Sequence, residues 1–198
     1  MTAGIGDPWH DGREGAFDDR PDFVRKDPAV ELRNIGIGDL SLYEGIHCDP
    51  QMMEHLGGPL PREGLREKLL QDVASTEADD TWIFKIIPDD DPHTAAGTVC
   101  IWEHEWQGRS INEIGWMVLP AFQGRGLSSV AVRSVLHRAR AESRWDVVHA
   151  FPPITNAPSG AMCRKMGFTR VEECDFAFRD RILRCDHWRL DLRTPGPT

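Results

Sequence analysis

No uninterrupted apolar run of about 18 residues, the length a helix needs to cross a bilayer, occurs in this sequence, so no membrane partner is expected. A secretory opening is lacking too: Met1 to His10 carry neither a basic start nor a hydrophobic stretch, and the expected location is the cytoplasm. The five cysteines, Cys48, Cys100, Cys163, Cys174 and Cys185, include no CxxC pair. A chain of 198 residues builds its core without staples, so reduced and mostly buried thiols are expected. Positive charge is scarce, with 23 Lys and Arg against 32 Asp and Glu and a formal net charge of -9. That balance opposes a general affinity for phosphate backbones, and nucleic acid is not an expected partner. The same excess suits a cationic small molecule or a basic peptide end, although solubility alone accounts for it equally well.

Several catalytic signatures are absent. The eight histidines make no HExxH spacing, and His104 between Glu103 and Glu105 reads as a polar strand end. The run Asp89-Asp90-Asp91 lacks the spaced oxygens and closing Glu of an EF-hand loop, so it reads as a solvated turn. No metal is expected. There is no G-x-S-x-G elbow, no Walker ending and no G-x-G-x-x-G fingerprint.

Periodicity supplies the positive content. Residues 1–27 are rich in Gly, Pro and Asp without sustained pattern and read as a flexible acidic extension. One domain is expected over 28–192, followed by a tail over 193–198. Apolar alternation or branched and aromatic content predicts strands at 29–34, 81–87, 95–102, 111–118, 146–150, 169–178 and 183–192. Asp39 is placed to cap a helix carrying Leu40, Tyr43 and Ile46, and a short helix holding Met52 and Met53 is stopped by Gly57, Gly58 and Pro59. Amphipathic helices follow at 62–74, through Leu65, Leu69, Leu70 and Val73, and at 124–141, through Leu127, Ala131, Val135 and Ala139. A last one at 159–166 ends at Gly167. This order predicts a mixed α/β fold with an antiparallel finish.

The segment from Glu113 to Ser128 carries the strongest local signal, because its glycine-containing turn lies directly between a strand and an amphipathic helix. Backbone N–H groups in such a turn converge on phosphate, and the helix amino end adds a favourable field. Taken alone, the short GxG is a weak signal and reads first as a tight strand-to-helix turn. Its residues, however, resemble the acetyl-CoA motif of the GNAT superfamily, Gln/Arg-x-x-Gly-x-Gly/Ala. Gln123, Gly124, Arg125, Gly126 and Leu127 match the first five positions, and Ser128 replaces the usual final Gly or Ala. A second likeness, from Asn156 through Ser159 to Gly167-Phe168, is similar to the Rim branch of ribosomal-protein and small-molecule N-acetyltransferases. The resemblance covers about residues 28–192.

What the resemblance implies is a GNAT-like mixed, mostly antiparallel sheet with a V-shaped split between its fourth and fifth strands and helices on both faces. Acetyl-CoA is the implied co-substrate. Backbone groups of Met117 and Val118 would meet the pantetheine arm, and the backbone of Gln123, Gly124, Arg125, Gly126, Leu127 and Ser128 the pyrophosphate. Asn156 would position the cofactor arm and Ser159 would sit near the sulfur. Direct transfer in a ternary complex is implied, with Glu113 as general base, directly or through water. A Glu paired to Arg or to backbone is the structural alternative for Glu113, an N-cap serine for Ser159 and a turn-former for Asn156. Family members commonly place a Tyr where this chain has Cys163, which shifts proton donation toward Ser159 or solvent; Cys163 itself reads as a buried thiol. Trp116, Trp102 and Met53 are expected pocket residues, with His47, Met52 and His55 nearby, although tryptophans beside strands are as often core or dimer contacts. The expected acceptor is a primary amine, of a cationic small molecule or of a protein N-terminus, and homodimerisation is a further implication. A noncatalytic CoA-binding module is the alternative of a different kind.

Overall fold

Alternating apolar and polar residues assemble one seven-stranded sheet in the computed structural model, which describes Met1 and residues 28–194. The expected extension over 1–27, apart from Met1, and residues 195–198 lie outside the described residues. In chain order the elements are β1 (Val30–Asn34), α1 (Leu40–His47), α2 (Leu65–Glu77), β2 (Trp82–Pro88), β3 (Gly97–Trp106), β4 (Arg109–Val118), α3 (Leu127–Ala141), β5 (Val147–Ala150), α4 (Ala157–Lys165), β6 (Thr169–Phe178) and β7 (Arg181–Asp191), with 3₁₀ turns at Glu54–Leu56 and Pro120–Phe122. The sheet runs β1-β2-β3-β4-β5-β7-β6. All neighbours are antiparallel except β4 and β5.

Three features depart from the sequence reading for local reasons. The β3–β4 hairpin is longer than expected because Gln107 and Gly108 both adopt positive φ, 50° and 71°, in a two-residue turn that leaves Trp106 opposite Arg109. Asp39 stands at the N-cap position of α1 but makes no side-chain cap bond. Its carboxylate instead accepts from the Gly36 amide at 2.7 Å and from Lys85 Nζ at 2.8 Å, since a cation reaching across from β2 outcompetes a neutral helix amide. Around Met52 and Met53 the chain forms a turn, and the helical piece is the 3₁₀ turn that follows.

Helices cover both faces. On one, Leu127, Ala131, Val132, Val135, Leu136 and Ala139 of α3 pack with Phe84, Ile86, Val99, Ile101 and Ile114 of the sheet. Each fully buried aliphatic side chain of this kind contributes about 1.5–3 kcal/mol. On the other, Tyr43 of α1 and Leu65, Leu69 and Val73 of α2 form a smaller cluster with Ile35. Among the described residues no helix is long and apolar enough to cross a membrane. All five cysteines are unpaired.

The parallel junction positions the site. β4 and β5 share one register pair, Glu113 with His149. Beyond it, residues 115–117 of β4, and Ala150 at the end of β5 with residues 151–153 after it, line opposite sides of a cavity rather than pairing with each other.

Candidate active site

The cavity has a volume of about 520 Å³. Its floor is β3 and β4. Glu113 lies directly opposite Trp102, and Gly115 opposite Cys100, so these four share one face of the sheet. Gly115 makes room there, because a Cβ at that position would stand 3.1 Å from the Trp102 ring and force the indole to give way. The indole therefore lies over the glycine, next to the carboxylate.

Glu113 is half-buried and has no hydrogen-bond or ion-pair partner among the described residues. Burial in these apolar surroundings pushes its pKa up to about 8. An arginine-paired structural carboxylate would have moved the other way. Trp102, Trp116 and Met117 line the cavity with it, as do Asn156 and Ser159 from the far side of the split.

Asn156 is the N-cap of α4: its Oδ1 accepts from the Ser159 amide at 3.1 Å. That bond uses only Oδ1 and leaves the Nδ2 group without a partner among the described residues, so capping does not occupy the donor end of the amide. Ser159 is the third helical residue, not the cap, and its hydroxyl is uncommitted among the described residues. Cys163, one turn further, is fully buried, and burial pushes its thiol up to about 12.

Residues 123–128 form a separate part of the site. Gly124 and Gly126 adopt φ of 73° and 79°, a left-handed geometry that costs other residues free energy. The amides of Gly124, Arg125 and Gly126 have no acceptor among the described residues, and they stand at the amino end of the 15-residue α3. Side chains hold this loop in place. Gln123 Nε2 donates to the Val118 carbonyl at 2.9 Å, Arg125 pairs with both oxygens of Asp90 at 2.6 and 2.5 Å, and Leu127 is buried in the core. What faces outward is backbone N–H, which suits an anion. Neither this loop nor Val118 borders the cavity itself.

Met53 corrects one expectation. It is fully buried and lines no part of the cavity, because the turn before the 3₁₀ helix directs an unbranched apolar side chain inward. The wall is supplied instead by Tyr43, Ile46, His47 and Leu56, with Asp72 and Lys68 of α2 and with Phe178 and Arg179 at the β6–β7 turn. Tyr43 is the only tyrosine in the chain; its hydroxyl donates to Asp72 at 2.8 Å, and burial raises its pKa. Lys68 Nζ lies 2.7 Å from the same carboxylate. His47, expected nearby, does line the cavity, while His55 instead meets Thr155 Oγ1 at 3.0 Å. Trp106 packs away from the cavity, 4.5 Å from the His187 ring.

This arrangement matches known proteins at the level of sequence model and of fold. The model for the acetyltransferase (GNAT) domain matches residues 29–169. The chain belongs to the GNAT family and is an acetyl-CoA-dependent acetyltransferase. No curated protein sequence matches it significantly. Among solved structures it is similar to a GNAT-family acetyltransferase from Bacillus anthracis, with TM-score 0.68 and 18% identity over 85% of this chain and 98% of that one. Spermidine N-acetyltransferase from Vibrio cholerae, in complex with CoA and spermine, gives 0.67 and 15% over 82% and 95%. Ribosomal-protein-S5-alanine acetyltransferase from Vibrio fischeri gives 0.65 and 16% over 83% and 93%. These similarities concern the fold, and they do not single out the Rim branch.

Proposed function

We propose that the protein transfers the acetyl group of acetyl-CoA to the primary amine of a small molecule by direct attack in a ternary complex. The observation that carries this reading is Glu113, an unpartnered carboxylate at the point where the sheet parts, facing a cavity large enough for a small amine. The amine nitrogen forms a bond to the acetyl carbon, the carbon–sulfur bond breaks, and the thiolate takes up a proton. A base whose pKa is raised to about 8 is well matched to an ammonium proton. In this reading Glu113 removes that proton, directly or through water, and the Ser159 hydroxyl hydrogen-bonds the departing sulfur.

Cofactor binding divides between two places. The amides of 124–128 take the pyrophosphate, and backbone of Met117 and Val118 together with Asn156 Nδ2 takes the pantetheine arm. Trp102 walls the reacting end, while Trp116, on the other face of β4, borders the cavity as it packs against the main core. Preference for a cation is not carried into the cavity by the overall charge, since the carboxylates of Asp72 and Glu103 there stand against the cations of Lys68 and Arg179.

The test is free-thiol release from acetyl-CoA by purified protein challenged with a panel of small amines and amino-terminated peptides, with product masses checked. Amine-dependent gain of one acetyl group on a small molecule is the expected result. Acetylation of peptide N-termini alone would replace the small-molecule acceptor by a protein one, and stoichiometric CoA binding without turnover would favour a noncatalytic module.

A further inference from the structure

Among the charges around the cavity, Glu103 is exposed and without a partner among the described residues, and the more buried ones are compensated or neutral. Asp72 is held by Lys68 at 2.7 Å and by the Tyr43 hydroxyl at 2.8 Å. Glu113, raised to about 8, is largely protonated at neutral pH. His47 is pushed down to about 4, first by burial and then by the charges of Lys68 and Arg179, so it is a neutral ring there. Its Nδ1 is buried without a partner.

Arg179 is different. It borders the cavity but has no carboxylate partner among the described residues. Two other arginines of the same hairpin do, Arg184 meeting Asp175 at 3.1 Å and Arg170 meeting Asp186 at 2.5 Å, while Arg181, like Arg179, has none among the described residues but does not border the cavity. What fixes Arg179 is the Phe178 ring, 4.8 Å beneath its guanidinium, and a backbone φ of 55° that places the side chain at the turn. A non-glycine residue in that conformation is uncommon and costs free energy. Residues 123–128 are not part of this cavity wall, so the guanidinium stands apart from the loop suited to pyrophosphate.

We propose that Arg179 receives a carboxylate of the acceptor, so that the preferred substrate is a small amine that also carries a carboxylate. This rests on the acetyl-transfer reading above and refines its acceptor. The planar guanidinium suits a two-point contact with a carboxylate, the Phe178 ring holds it in one orientation, and the neutral His47 beside it leaves its charge uncompensated. The acceptor amine then points toward Glu113, on the floor of the same cavity.

The experiment uses matched pairs, each an amino acid with its carboxamide and its decarboxylated amine. Kinetics and calorimetric binding are compared for wild type, Arg179→Asn, Arg179→Gly and Arg179→Lys. Asn and Gly both accept positive φ, so the turn is kept while the cation is lost. The expected result is that wild type prefers the carboxylate-bearing member. Asn and Gly should raise its KM roughly ten- to hundredfold with little change in kcat, with partial rescue by Lys and unchanged CoA affinity. Equal handling of all three members by wild type, an equal loss for all three in the variants, or a loss confined to CoA binding would each overturn the proposal. Should no amine be acetylated, the transfer reading fails, yet binding still decides this one: carboxylate-dependent binding to wild type that is lost in Arg179→Asn supports it, and no such difference sinks it.

Discussion

Glu113 of β4 and His149 of β5 face each other across the one register pair that joins these two strands. The sheet is continuous up to that pair and open beyond it, so the carboxylate stands at the apex of the opening. Water is limited there without being excluded, which is why the group remains reachable while its charged form is disfavoured. His149 on the neighbouring strand is itself half-buried and within 2.8 Å of His187.

Glu113→Gln is expected to lower kcat by roughly 10²-fold, the contribution of a positioned general base. In wild type the rate should rise with pH through about 8, following deprotonation of Glu113, and the variant should lose that limb. Stability runs the opposite way. The folded pKa of about 8 lies above the ordinary 4.5, so the folded state binds the extra proton between those values and loses stability as pH rises through them. Thermal melts of wild type and Glu113→Gln should therefore coincide near pH 4 and separate toward pH 8, with the variant the more stable. A pH–rate profile unchanged by the substitution would remove Glu113 from the base role.

Asn156 caps α4, and the cofactor contact proposed for its Nδ2 can be separated from that capping by different substitutions. Asn156→Ala removes the cap bond to the Ser159 amide, at a cost of about 1 kcal/mol, and also removes the Nδ2 donor. Asn156→Asp keeps an acceptor at the helix amino end, so its stability should stay close to wild type while the KM for acetyl-CoA rises as it does for Ala. Equal KM values for wild type and Asp would confine Asn156 to capping.

Much of this site was legible in the chain because its parts are local. Gln123 to Ser128 and Asn156 to Ser159 are short segments whose turn and cap chemistry is written in adjacent residues. The alternation that put Glu113 on an apolar face with Ile111 and Met117 is likewise a property of one strand. The acceptor wall is another matter. Tyr43 sits in an amphipathic pattern that reads as core, and Asp72 and Lys68 read as the solvated side of α2. Arg179 reads as turn charge, and Met53 looked equal to its neighbours until the 3₁₀ turn buried it. These side chains meet only because α1, α2 and the β6–β7 turn converge on the split, and no periodicity within one segment encodes that meeting.

Acid should weaken the fold through its histidines. His47 and His149 are both lowered to about 4, chiefly by burial, from an ordinary 6.5. The unfolded chain thus binds protons that the folded one refuses between those values, and stability falls as pH drops from about 6.5 to 4. Replacing both with Gln should flatten that limb in melts or denaturant titrations. A limb of the same steepness in the double variant would assign the acid sensitivity to other groups.

Cys163 stands where the family resemblance implies a tyrosine, and its environment decides whether it carries a chemical role. The thiol is fully buried and raised to about 12, so only about one molecule in 10⁵ carries the thiolate at pH 7. A nucleophile needs that thiolate and a path to the thioester, and burial denies both. Cys163→Ala should accordingly leave kcat close to wild type while costing about 1 kcal/mol of stability from lost packing. Intact-protein mass after mixing with acetyl-CoA alone should show no acetyl adduct. An adduct that disappears in Cys163→Ala, together with lost turnover, would replace direct attack by a two-step route through the enzyme. Activity that survives the substitution removes Cys163 as a nucleophile and leaves the proposed direct transfer from sulfur to amine standing.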